Sequence, residues 1–245
     1  MKINNGYKDI LTIKEKGNGK DIIIFSPLFP FNESLFELLF SKLDIDNYKL
    51  LFSMPNTSLK IKREDYNIDN FVNFYYKLIN SIDDSSKVYL VGFGIFSVIF
   101  SKLITICDER ISFLFFFEPD FSNYVLMKIF DSEKRLFFKF NHLVNFYVKN
   151  KKNISFFIKK DLKYLKFYYY NMKDCLEKNK ILKELVKFKN KIKIFWCIME
   201  KESWPLAQIL LEQYDLLVYS MKNNIIETIL KPDESIINEI KNSLK

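Results

Sequence analysis

Apolar residues in this chain come in short unbroken runs separated by longer stretches of helical period, which predicts strands alternating with helices around a largely parallel sheet. Val88 to Val91 reads as a buried strand, Gly92-Phe93-Gly94 as a tight turn, and Ile95 to Cys107 as a helix packed back on that strand. Upstream, Tyr7 to Lys16 and Asp21 to Ser26 read as a hairpin around Asn18-Gly19, a favoured two-residue turn. Ser34-Leu-Phe-Glu37 has the form of a capping box opening a helix to about Leu43. A strand over Lys49 to Ser53 and a helix over Ile68 to Ser81 follow. Beyond the glycine turn, Ile111 to Phe117 is an apolar strand closed by Glu118-Pro119-Asp120. Near the C-terminus, strands over Ile192 to Ile198 and Leu216 to Ser220 flank a helix over Trp204 to Tyr214. The last helix begins around Pro232-Asp233, with proline in its first turn, and runs to Leu244. The strand at Lys87 to Val91 is expected inside the sheet, between those at Lys49 to Ser53 and Ile111 to Phe117.

Strand, glycine turn and helix are the setting of a G-x-S-x-G nucleophile elbow, whose serine stands on a strained turn. Here that position is Gly94, which can adopt the strained angles but carries no oxygen, and the second glycine is replaced by Phe96. Ser97, one helical turn further on, is the weak alternative nucleophile, and its plainer reading is a hydroxyl bonded to a preceding carbonyl. Cys197, at the end of a strand, is expected to be buried and inert. Two other motifs fail on spacing. Gly92-x-Gly94-x-x-Ser97 lacks the third glycine of a dinucleotide fingerprint, and GNGK at 17–20 lacks the spacing of a P-loop. No cofactor and no metal site is expected.

Composition changes this picture in one place. The segment 121–190 holds 17 basic against 6 acidic side chains, a net +11 that leaves −3 for the rest of a chain whose total is +8. It also breaks the strand–helix rhythm and reads as aromatic, lysine-rich helices inserted between core parts at 1–120 and 191–245. A basic face of this kind is a candidate surface for an acidic protein or an anionic membrane, although solvated lysines on a helical cap are the commoner case. With Arg135 its only arginine and no nucleic-acid motif, base-specific recognition is not expected. Cys107, Cys175 and Cys197 are scattered, which argues against a disulfide framework. The opening MKINNGYKDI lacks the apolar core of a signal peptide, so a cytoplasmic location is expected. Val88 to Cys107 has the length of a membrane span, but its glycines, Ser97, Ser101 and Lys102 fit a buried strand and helix better.

The order of these elements resembles the α/β-hydrolase superfamily over nearly the whole chain. Asp21-IIIFSPLFPFNESLFELLF is similar to a strand leading into the oxyanion loop, Lys49-LLFSMPNTS to the next strand, and Lys87-VYLVGFGIF to the elbow strand. IKIFWCIMEKESWP is similar to the strand before the triad acid, and YDLLVYSMKNNIIET to the last strand and histidine loop. The resemblance implies a three-layer α/β fold with a mainly parallel sheet and a helical cap. It places the nucleophile at Gly94, the acid at Glu200 (Glu202 being the weaker alternative) and the histidine at Asn224, a degenerate triad. Ser26, Leu28, Phe93 and Ile95 become pocket or oxyanion candidates, Ser26-Pro27 standing where many members have His-Gly. The chain's only histidine, His142, lies in the segment read as the cap. Serine hydrolysis needs nucleophile, base and orienting acid in contact, so a non-catalytic protein binding an apolar or acyl ligand, or a protein partner, is expected. The alternatives are an esterase or thioesterase with a rearranged site, and a structural subunit docking through its basic cap.

Overall fold

Alternating buried side chains along each strand direct the fold. In Val88–Phe93, Val88 and Leu90 join one apolar cluster while Tyr89, Val91 and Phe93 join another, so this strand is covered on both faces. The computed structural model describes residues 11–26, 39, 41–43, 47–55, 67–119, 180–197, 208, 211–223, 228 and 231–244. Its strands are β1 (Leu11–Lys16), β2 (Asp21–Ser26), β3 (Tyr48–Pro55), β4 (Val88–Phe93), β5 (Ile111–Phe117), β6 (Ile192–Cys197) and β7 (Val218–Met221). Its helices are α1 (Ile68–Asn80), α2 (Ile95–Cys107), α3 (Lys180–Leu185) and α4 (Glu234–Ser243). The seven strands form one sheet in the order β1-β3-β2-β4-β5-β6-β7, parallel except for the antiparallel edge pair β1–β3.

Two strand pairings depart from expectation. β1 and β2 do not form a hairpin, because β3 lies between them. The local Asn18-Gly19 signal gives way to a longer-range constraint. Gly17, at φ 81°, runs so close to β3 that an added Cβ would lie 2.5 Å from the Tyr48 carbonyl oxygen, and Gly19 abuts the Asn47 carbonyl in the same way. These glycines permit passage over the start of β3 rather than a tight turn. Likewise β4 is flanked by β2 and β5, not by β3 and β5, since β2 supplies the central neighbour.

α1, α2 and α3 cover one face. Phe71, Tyr75 and Leu78 of α1 meet Phe96, Phe100 and Leu103 of α2 above Leu90, Leu114 and Ile194. α4 and Leu39 and Leu43 cover the other face, over Phe25, Phe52, Val91, Phe115 and Phe195. α1 begins with the Asn67 side chain capping Asn70 N–H and ends where the Arg110 guanidinium bonds the carbonyls of Ile79, Ile82 and Asp83. α4 is capped by Asp233, so Pro232 precedes the helix instead of opening it. Leu182 and Leu185 are buried against α2's cluster, so the end of the segment read as cap over 121–190 belongs to the core's helix layer. Residues 120–179 lie outside the described residues. Val88 to Cys107 is a strand followed by a helix, and no described helix is long and apolar enough to cross a membrane.

Candidate functional site

The strand order locates the switch point of the sheet. The connection from β2 leads to β3 on one side and that from β4 leads through α2 to β5 on the other, so the carboxyl ends of β2 and β4 separate the two directions of winding. Open α/β sheets bind ligands at such a point. Ser26, the last residue of β2, and Gly92 are cross-strand partners there, and the β4–α2 turn stands directly above them.

That turn is sharp for reasons visible in its atoms. Gly94 has φ 54° and ψ −119°, a region open almost only to glycine. Its N–H donates to the Phe117 carbonyl at 3.0 Å and its carbonyl accepts from Ser97 N–H at 3.1 Å, so neighbours on both sides fix it. Gly92 brings strand and helix together: a Cβ there would lie 2.9 Å from Phe100 Cδ2 and 3.0 Å from the Phe96 carbonyl carbon and Ser97 nitrogen. Phe96, which stands in place of the second elbow glycine, is directed into the α1–α2 interface, edge-on to Phe71 and Tyr75.

The other candidate residues divide between this edge and the interior. Phe93 is fully buried and stacks on Phe117 at 4.6 Å, which stacks on Phe195 at 4.7 Å, so it braces the sheet. Ile95 opens α2. Ser97 is fully buried and its Oγ donates to the Gly92 carbonyl at 3.1 Å, tying helix to strand. The Ser26 hydroxyl lies in a closed triangle with Ser53 (2.7 Å) and Tyr75 (2.6 Å), completed by a Ser53–Tyr75 contact of 2.7 Å, and all three residues are buried. Burial pushes the Tyr75 phenol well above its ordinary pKa, and the two serines offset this only in part. Tyr75 is therefore a neutral hydroxyl near pH 7 and no base for Ser26.

Sequence reasoning missed the role of Glu118. It has φ 45°, unusual for a non-glycine residue and more so before a proline. Its N–H donates to the Phe195 carbonyl at 3.0 Å, and its Oε1 accepts from Cys197 N–H. The Glu118-Pro119 dipeptide marked a strand end and gave no sign of this clasp. Cys197 is buried, and its backbone N–H makes that bond. Leu28, Glu200, Glu202, Asn224 and His142 lie outside the described residues. Among the described residues, no three His, Cys, Asp or Glu side chains gather as metal ligands would.

No protein-family model matches the chain, and no curated protein sequence does. Solved structures do match, at low identity. A carboxylesterase structure from the ammonia-oxidizing Thaumarchaeon Nitrososphaera gargenis gives a TM-score of 0.67 at 10% identity, over 96% of this chain and 93% of that one. The esterase EaEST from Exiguobacterium antarcticum gives 0.66 at 11%, over 96% of both chains. MGS-M2, an alpha/beta hydrolase enzyme from a Medee basin deep-sea metagenome library, gives 0.65 at 14%, over 96% and 94%. At such identities the likeness is one of architecture, and with the sheet order and covering helices it gives the conclusion that this chain has the three-layer α/β-hydrolase fold.

Proposed function

We propose that this protein uses the crevice above β2 and β4 to bind an apolar, acyl-type small molecule without cleaving it. The observation that supports this reading is the turn at Gly94, which has strained angles and bracing hydrogen bonds but no side-chain oxygen. In the proposed assignment Gly94, Glu200 and Asn224 are the degenerate triad positions, and Leu28 and Ile95 are the pocket or oxyanion candidates at this edge, with the Ser26 and Phe93 side chains buried beneath it. Ser97 and Ser26, the two hydroxyls considered as alternative nucleophiles, are buried and bonded to a carbonyl and to other hydroxyls respectively, which suits structural duty. The aromatic content of 121–190 suits an apolar ligand. Among the described residues, Cys107 and Cys197 are buried and outside any disulfide, which is consistent with the proposed reducing, cytoplasmic setting.

Turnover of p-nitrophenyl esters is expected to equal that of a heat-denatured control, while dansyl-labelled undecanoic acid is expected to bind saturably. Turnover lost on Ser97→Ala or Ser26→Ala would reject the reading. It would favour the second one, an esterase or thioesterase with a rearranged site, which the esterases among the structural neighbours support. The basic segment carries a separate proposal: docking on an acidic protein or anionic membrane, with salt-sensitive binding. Co-sedimentation with anionic vesicles at low and high salt tests it, and no binding at low salt would reject the membrane form.

A further inference from the structure

Glu118 stands at the carboxyl end of β5, between the Gly94 turn on one side and the tip of β6 on the other. Three interactions run across this edge in series. Gly94 N–H bonds the Phe117 carbonyl, the next peptide nitrogen, that of Glu118, bonds the Phe195 carbonyl, and the Glu118 carboxylate accepts from Cys197 N–H. The Phe117–Glu118 peptide thus faces both neighbours, its carbonyl holding the turn and its N–H holding β6. Its orientation is set by a residue at φ 45°, where an L side chain is disfavoured and the following Pro119 restricts the backbone further. A strained angle of this kind persists only when surrounding contacts over-determine it. The charge-assisted bond from Cys197 N–H is a side-chain contact of that kind.

We propose that Glu118 is a positioning residue for the Gly94 turn. Its carboxylate clasps β6, the clasp holds the 117–118 peptide in its strained orientation, and that orientation presents the carbonyl that fixes Gly94 N–H. The inference rests on reading the crevice beside Gly94 as the binding site, and it deepens that reading by naming what keeps the site's shape.

Amide hydrogen exchange on the full chain tests it without any ligand. In Glu118→Ala, exchange at Cys197 and at Gly94 is expected to accelerate about tenfold or more, the loss of one charge-assisted bond. Exchange at Ile23 and Ile24 in β2 should stay within about twofold. Glu118→Gln, which keeps an acceptor oxygen, should restore slow exchange at both amides. Acceleration at Cys197 with Gly94 unchanged would overturn the inference, because the clasp would then be local to β6. Uniform acceleration, β2 included, would also overturn it, as would failure of Glu118→Gln to rescue. A second arm measures dansyl-labelled undecanoic acid on the same variants. Binding by the wild type that weakens in Glu118→Ala and returns in Glu118→Gln supports the link to the site. If the wild type fails to bind while the exchange pattern holds, the proposed function falls and the positioning role stands.

Discussion

Among the described residues at the carboxyl edge of the sheet, Gly94 has φ 54° and Glu118 φ 45°, and the chain handles these two positive angles in opposite ways. At Gly94 the side chain is absent, so the angle costs little and backbone contacts suffice to hold it. Glu118 keeps its side chain, so the angle is disfavoured and a specific bond to Cys197 N–H offsets the cost. Conformation at the first site is inexpensive and leaves no functional group. At the second it is costly and depends on one. The first position carries no side chain, whereas the one beside it keeps a carboxylate.

The largest effect should come from adding a branched side chain to the first site. Gly94→Val is expected to lose about 3 kcal/mol, the upper end for a residue forced into such angles, read from urea unfolding. A loss below about 0.5 kcal/mol would mean that the turn relaxes easily and differs less from Glu118 than the two angles imply. Gly92→Ala should cost about 2 kcal/mol, because two of the three atoms its Cβ would meet at 2.9–3.0 Å are backbone. Tyr75→Phe removes one hydroxyl of the buried triangle and leaves Ser26 and Ser53 to pair with each other, which should cost about 1 kcal/mol. Thermal unfolding of that variant beside Ser26→Ala would show whether the triangle acts as a unit, since coupled partners give non-additive losses.

The smallest effect is one of pH, at the start of α4. Bonds from Ser235 N–H and hydroxyl hold the Asp233 carboxyl below the usual carboxylate range. Because the folded value is lowered, its contribution is complete above the ordinary carboxylate pKa and fades as pH falls through the lowered one. Asp233→Ala should therefore lose under about 1 kcal/mol near neutrality, with the gap to wild type closing in acid. A gap that stayed constant with pH would assign the loss to something other than the cap.

What the sequence disclosed follows the range of the interactions involved. Val88 to Val91 and Ile111 to Phe117 were legible because continuous apolar runs between helix-length segments fit little besides strands buried on both faces. The turn was legible because Gly92 and Gly94 are local necessities of a sharp strand-to-helix connection. Strand neighbours were harder to read. Asn18-Gly19 is a strong local hairpin signal, yet β1 pairs with β3, which lies beyond β2 in the chain, and close passage over Asn47 and Tyr48 accounts for the glycines. Ser26 was singled out by position, but its partner Tyr75 is 49 residues away on a helix, and no periodicity reports such a contact. Glu118 read as a strand terminator because its strain and its bond to Cys197 exist only once β5 and β6 lie side by side.

Whether this fold holds the elbow without the nucleophile can be read from intact-mass spectrometry after incubation with a panel of activated acyl esters and a fluorophosphonate. A reactive serine would keep the acyl or phosphonyl group it received. An unchanged mass is expected for wild type, and also for Gly94→Ser, because the loop proposed for the base, 222–225, contains no histidine. A single stoichiometric adduct on the wild-type chain, abolished by Ser97→Ala or Ser26→Ala, would refute the non-catalytic reading.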